Sequence, residues 1–180
     1  LRAAVHEQML VAIRRGIFYR DASSFEAAGK TDIAVVCARG SVLMGEPEII
    51  SVEALGTVSP NRVLELAAGA MQTVTDPTAH AVHHEASARE VSPQPMRSPL
   101  VRPGLGVTAL TASGETVVVG SRSFLLHEKV SVGMADARIN ALEGGGRSVL
   151  LVALQDKMVG IVALQDGLRP GARAAAQRLL

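Results

Sequence analysis

Aromatic side chains are nearly absent from this 180-residue chain: Phe18, Tyr19, Phe25 and Phe124 make up 2% of it, and Trp is missing. A core must therefore be assembled from the Val, Leu, Ile, Ala and Met that dominate its 48% hydrophobic content. Nucleic acid is excluded as a partner, because stacking platforms are missing and a net charge of +1 comes without a concentrated basic run. Cys37 is the only cysteine, so no internal disulfide can form and a secreted disulfide scaffold is excluded. No apolar run reaches the roughly 18–20 residues that span a bilayer. His6, Glu7 and Gln8 interrupt the stretch from Leu1 to Ile13, which rules it out as a signal peptide. The chain starts on Leu1 and not on Met, and a soluble piece of a longer protein is expected, sized for one ordinary domain or two small lobes.

What is present reads as mixed α/β. Residues 3–14 have helical composition, closed by Arg14, Arg15 and a capping Gly16. Ile33 to Val36 is a short β-branched run of the kind that forms a strand buried on both faces. A loop with Gly40, Gly45 and Pro47 follows, and Glu48 to Leu55 reads as a strand. Ser59 before Pro60, and Asp76 before Pro77, pair an N-cap with a first-turn proline, so helices are expected to about Met71 and to Arg89 as a helical hairpin. Pro93, Pro95, Pro99 and Pro103 predict an extended connector without regular structure over residues 91–103. Residues 104–112 and 115–120 read as a β-hairpin, Ala135 to Glu143 as a helix, Ser148–Leu154 and Met158–Leu164 as a second hairpin, and Arg169 to Leu180 as a helix.

Several patterns suggest chemistry and fail on inspection. Gly40 and Gly45 have phosphate-loop spacing, but Glu46 and Pro47 stand where Lys and Ser/Thr are needed. Cys37 lacks an arginine spaced to wrap a phosphate, so a small buried cysteine at a strand end is favoured over a phosphatase nucleophile. Gly104-Leu-Gly-Val-Thr-Ala fits a loose dinucleotide fingerprint, yet a proline-rich loop precedes it and a strand follows. His80, His83 and His84 lack further ligands for a tetrahedral metal and read as a solvated helix face.

The same residues in a different frame carry a resemblance. Gly40, Ser41, Val42, Gly45 and Pro47 after an apolar strand resemble the phosphorylation loop of the P-type ATPases, above all the heavy-metal-transporting branch. Gly16, Ile17, Asp21, Phe25, Glu26 and Asp32 fit the segment that precedes that strand. Pro103, Gly104, Gly106 and Val107, then Val119, Gly120 and Ser121, are similar to that family's nucleotide-domain motifs, and Asp166-x-Leu-Arg-Pro170 to its return segment. Cys37 falls at the phosphorylated aspartate, with Ala38 and Arg39 at Lys and Thr. Val74 to Ala79 is similar to the stretch with the family's adenine-orienting histidine; Pro77 and Ala79 match, while Asp76 stands for the histidine and Thr75 for a glutamate.

The resemblance implies an antiparallel-sheet nucleotide-binding domain with a helical hairpin (residues 48–160). It would be inserted in part of a haloacid-dehalogenase-like phosphorylation domain, with its first part and linker over 1–47 and its return segment over 161–180. Implied contacts of the nucleotide are Asp76, Gly104, Gly106, Gly120 and Ser121, with the glycines letting the backbone approach it. ATP is the implied ligand, weakened or lost because Asp76 is acceptor-only and negative beside a polyanion, and Mg2+ would come with the nucleotide. Without the aspartate no aspartyl phosphate is expected. The parent protein would lie in a membrane, with this domain on its cytoplasmic face beside transmembrane and actuator domains. The alternative is a non-catalytic regulatory or interaction module that keeps the fold without nucleotide. Exposed sheet edges also make self-association an expectation.

Overall fold

The computed structural model describes residues 2–179, which divide into a first unit ending at Cys37 and a second beginning at Ala38. In the first unit, helix α1 (Arg2–Arg14) ends just before Gly16, whose N–H donates to the Ile13 carbonyl at 2.9 Å. Helix α2 (Ala22–Ala28) is capped by Asp21, which accepts from the Ser24 N–H at 2.7 Å. The Ser23 hydroxyl and then this N–H bring the Asp21 carboxyl down to about 2. The Tyr19 and Phe25 rings meet edge to face, centroids 5.0 Å apart.

The strand expected over Ile33–Val36 does not form. Ile33 is 80% and Val35 92% exposed, and no strand among the described residues pairs with them. Composition suits a central strand, but a strand exists only where a neighbour supplies its hydrogen bonds. Cys37 is accordingly exposed, not buried at a strand end.

The second unit opens with a π-helical turn, Ala38–Val42, and builds six strands: β1 (Leu43–Ala54), β2 (Arg97–Arg102), β3 (Gly106–Leu110), β4 (Thr116–Gly120), β5 (Ser148–Leu154) and β6 (Lys157–Leu168). All pairings are antiparallel, in the order β1-β6-β5-β4-β3-β2. The mixed α/β architecture with an antiparallel sheet and a helical hairpin is the one the sequence implies. The hairpin is α3 (Pro60–Ala70) and α4 (Pro77–Ala88); Ser59 accepts from the Arg62 N–H at 3.2 Å and Asp76 from the Ala79 N–H at 2.8 Å.

Both faces of the sheet are covered, and that explains why its central strands read as unbroken apolar runs. Val117, Val119, Leu150, Val152 and Val162 pack with Val63, Leu64 and Val82 of the hairpin. Val118, Leu151, Ala153 and Ile161 pack instead with α5 (Arg122–His127) and α6 (Asp136–Gly144) through Phe124, Leu125, Ile139 and Leu142. Alternate residues of one strand thus enter different cores.

The connector over 91–103 is not free of regular structure. Its second half is β2, paired with β3 from Arg97↔Leu110 to Arg102↔Gly106, with a bulge between Arg97 and Leu100. Pro99 lies within that bulge on the edge strand, where a missing N–H costs no ladder bond. Helix α7 (Ala172–Leu179) lies in the expected last helix, whose end, Leu180, is outside the described residues.

The Arg138 guanidinium clasps Glu53, with Nε donating to Oε2 at 2.8 Å and Nη2 to Oε1 at 2.6 Å. These bonds hold the Glu53 carboxyl below its ordinary value of 4.5. A carboxyl depressed in the folded state contributes stability that is present above its unfolded value and lost as pH falls through the folded one. Arg138→Ala is therefore expected to lower the urea midpoint at pH 7, with the gap to the parent protein closing as pH is taken below 4.5.

Candidate functional site

A cleft of about 510 Å³ opens where the α3–α4 connection faces the β2–β3 turn and the near ends of β1, β5 and β6. Its wall includes Thr73, Thr75, Asp76 and Thr78 from the hairpin, Arg102 to Val107 from the turn, Ser121, Ser148, Pro47 and Asp166. That volume is within the range of small-molecule sites, roughly 300–1,000 Å³.

Each wall has a local cause. The hairpin presents Asp76 because the first turn of α4 leaves N–H groups that its Oδ1 satisfies. Gly104 has φ of +75°, and Leu105 N–H donates back to the Arg102 carbonyl at 3.0 Å, so the chain reverses tightly there. Ser121 caps α5, its Oγ accepting from Phe124 N–H at 3.3 Å. Its own N–H donates to the Leu105 carbonyl at 2.9 Å, tying α5 to the turn.

Asp76, Gly104, Gly106 and Ser121 thus come together on one surface, although they span 45 positions of sequence from Asp76 to Ser121. Gly120 is not on that surface. It pairs with Gly106 across β3 and β4, and both lie against Phe124. A Cβ on Gly120 would come within 2.6 Å of Phe124 Cδ1 and 2.9 Å of Gly106 Cα; one on Gly106 would come within 2.7 Å of Gly120 Cα. These two glycines are required by the packing of two strands over a ring.

Asp166 and Arg102 were not singled out as site residues by the sequence, yet both line the cleft. Both oxygens of Asp166 accept from the Gly45 N–H at 3.1 Å, while Arg169 donates its N–H to Val42 at 2.8 Å and its Nε to the Leu43 carbonyl at 3.1 Å. The Asp-x-Leu-Arg and Gly-x-Pro motifs therefore fasten each other. Their signal in the sequence was the pair of motifs; the link between them spans 121 positions and was not visible.

His80 and His84 line a second cleft against β1, whereas His83 Nε2 lies 3.3 Å from the Met71 carbonyl, so the three do not share one solvated face. Among the described residues no group of three or more His, Cys, Asp or Glu is placed to hold a metal. Also among them, no helix is long and apolar enough to cross a membrane. The side chain of Arg39 lies outside the described residues.

The sheet, the hairpin on one face and the cleft at its end are the fold of a P-type ATPase nucleotide-binding domain. Among solved structures, the N-domain of a copper-transporting P-type ATPase matches with a TM-score of 0.57 and 26% identity, over 66% of this chain and 99% of that one. The chain is 29% identical over 177 residues to a zinc/cadmium/lead-transporting P-type ATPase of Escherichia coli strain K12, which covers 98% of it. It is 32% identical over 168 residues, 92% of its length, to a manganese-exporting P-type ATPase of Mycobacterium tuberculosis strain H37Rv. It spans 23% of the length of each of these two relatives. No protein-family model matches it. Over nearly its whole length, the chain is homologous to the heavy-metal P-type ATPases.

Proposed function

We propose that this chain is the ATP-binding domain, with flanking phosphorylation-domain segments, of a metal-cation-transporting P-type ATPase-like protein, and that it does not form the aspartyl phosphate. The observation that carries the first part is the cleft that gathers Asp76, Gly104, Gly106 and Ser121. The nucleotide-binding domain occupies 48–160 and the phosphorylation-domain segments 1–47 and 161–180. In support, Leu43 and Leu168 are paired neighbours, so a lobe lying between them enters and leaves its surroundings at one place. Transmembrane and actuator domains of the parent protein would be its neighbours, on the cytoplasmic face of a membrane.

The cleft residues would enclose base and ribose between the hairpin and the β2–β3 turn; bound ATP would supply a transferable phosphoryl group and Mg2+ would neutralise part of its charge. The second part rests on residue chemistry at 37 and 38. A carboxylate there would take the γ-phosphoryl group as an acyl phosphate; the Cys37 thiol has no carboxyl oxygen to offer, and Ala38 offers no cation to offset the phosphate charge.

Titration calorimetry with ATP and ADP, with and without magnesium, tests the reading. Binding is expected, and Gly104→Asp, which the left-handed backbone tolerates, is expected to abolish it by placing a carboxylate on the wall. Silence at millimolar ATP would leave the chain as an interaction module that keeps the fold. Incubation with radiolabelled ATP is expected to leave no acid-stable phosphoprotein; label that Cys37→Ala removes would overturn that half of the reading.

A further inference from the structure

The three histidines of α4 have different surroundings. His83 Nε2 lies 3.3 Å from the Met71 carbonyl, so its ring is engaged just past the end of α3. His80 and His84 are exposed and line a cleft of about 890 Å³ between α4 and β1. Residues four apart are neighbours on one helix face, with Cβ atoms roughly 5–6 Å apart. Two histidines at that spacing can take one metal ion between them. The rest of the lining suits a cation: Glu46 and Glu48 of β1 and Glu85 of α4, with no Lys or Arg among the described residues there. Arg89 already offsets Glu85, donating from Nε to Oε1 at 2.6 Å, so the uncompensated charges are those of Glu46 and Glu48. Among the described residues no third His, Cys, Asp or Glu is placed to join the pair as a ligand. Water therefore completes the coordination sphere, and the glutamates act through their field.

We propose that His80 and His84 chelate a divalent ion of a late first-row transition metal, Ni2+, Cu2+ or Zn2+, in the cleft between α4 and β1. Imidazole nitrogen suits these ions, whereas Mg2+ and Ca2+ demand several oxygen ligands and gain little from it. The site is independent of the nucleotide reading, which concerns the other cleft. His83, next in the chain to His84, supplies the internal contrast: the same residue type on the same helix, turned to a backbone carbonyl and away from the metal.

The experiment is a calorimetric titration of the purified chain, without nucleotide, with Ni2+, Cu2+ and Mg2+ in turn, in the parent protein and in His80→Ala, His83→Ala and His84→Ala. His80 and His84 are exposed and alanine is the better helix former, so α4 keeps its structure in both variants, which circular dichroism checks. The parent protein is expected to bind Ni2+, to bind Cu2+ more tightly, and to bind Mg2+ at least about tenfold more weakly than Ni2+. Outer partners of a metal ligand alone are worth about 10–100-fold in affinity, so His80→Ala and His84→Ala are each expected to weaken Ni2+ binding at least about tenfold, with His83→Ala within about twofold of the parent. Ni2+ is also expected to raise the thermal midpoint of the parent and of His83→Ala but not of the other two, as a ligand of the folded state does. Unchanged Ni2+ affinity in His80→Ala or His84→Ala, an equal loss in His83→Ala, Mg2+ bound as tightly as Ni2+, or no binding at millimolar Ni2+ would each overturn the inference. None of these results bears on ATP binding in the other cleft, which its own titration decides.

Discussion

Replacing Phe124 by alanine is expected to cost about 3–5 kcal/mol, the range for a fully buried aromatic truncated in a core that cannot collapse. Phe124 is 2% exposed and is the largest buried side chain of the protein. It belongs to the core beneath α5 and α6 and also supports the Gly106–Gly120 pair from below, so one truncation opens a cavity under two strands. Against a total stability of about 5–15 kcal/mol, that loss removes a large fraction of the folded population. Urea unfolding followed by circular dichroism would show it as a lowered midpoint. Phe124→Leu, which retains most of the volume, is expected to lose less than half as much. Equal losses would show that the ring's contact with the glycines, and not its bulk, is what matters.

The second large effect separates three glycines that look alike in the sequence. Gly106→Ala and Gly120→Ala each place a methyl group inside contact distance of backbone atoms of the paired strand, and backbone cannot move aside as a side-chain tip can. Each is expected to cost at least about 1–3 kcal/mol, the usual penalty of overpacking, and more where strand pairing breaks. Gly104→Ala meets nothing within 4 Å and pays only the left-handed backbone term, about 1–2 kcal/mol. Thermal unfolding of the three alanine variants checks the order. If all three kept parental stability and lost only ligand affinity, the glycines would be serving ligand approach and the packing account would fail.

Much of this fold was legible because its signals are local. Ser59-Pro60 and Asp76-Pro77 mark helix starts by chemistry that acts within one turn, and the hairpins over 104–120 and 148–164 show as apolar runs around short turns. What failed was whatever depended on a distant neighbour. Ile33 to Val36 has the composition of a central strand, but no strand among the described residues pairs with it. Residues 97–102 have a proline and still form a strand, because β3 offers an edge on which that proline is harmless. Helix α5 is only six residues long, too short to show a period. In the cleft, Asp76, Gly104, Gly106 and Ser121 were readable from motifs. The displacement of Gly120 behind the wall and the arrival of Arg102 and Asp166 on it follow from strand register, which a motif does not encode.

The pairing of Leu43 with Leu168 gives the lobe between them the ends of a hairpin turn. Closing those ends would span only the width of one strand pair, so the entropy of closure is small and no helix or strand need be cut. The lobe could be sealed head to tail with a few glycines, or spliced into an exposed hairpin of a host protein. Its chain would then be reopened at the tip between β5 and β6, around Gln155 and Asp156, to give a permuted protein with the same sheet order.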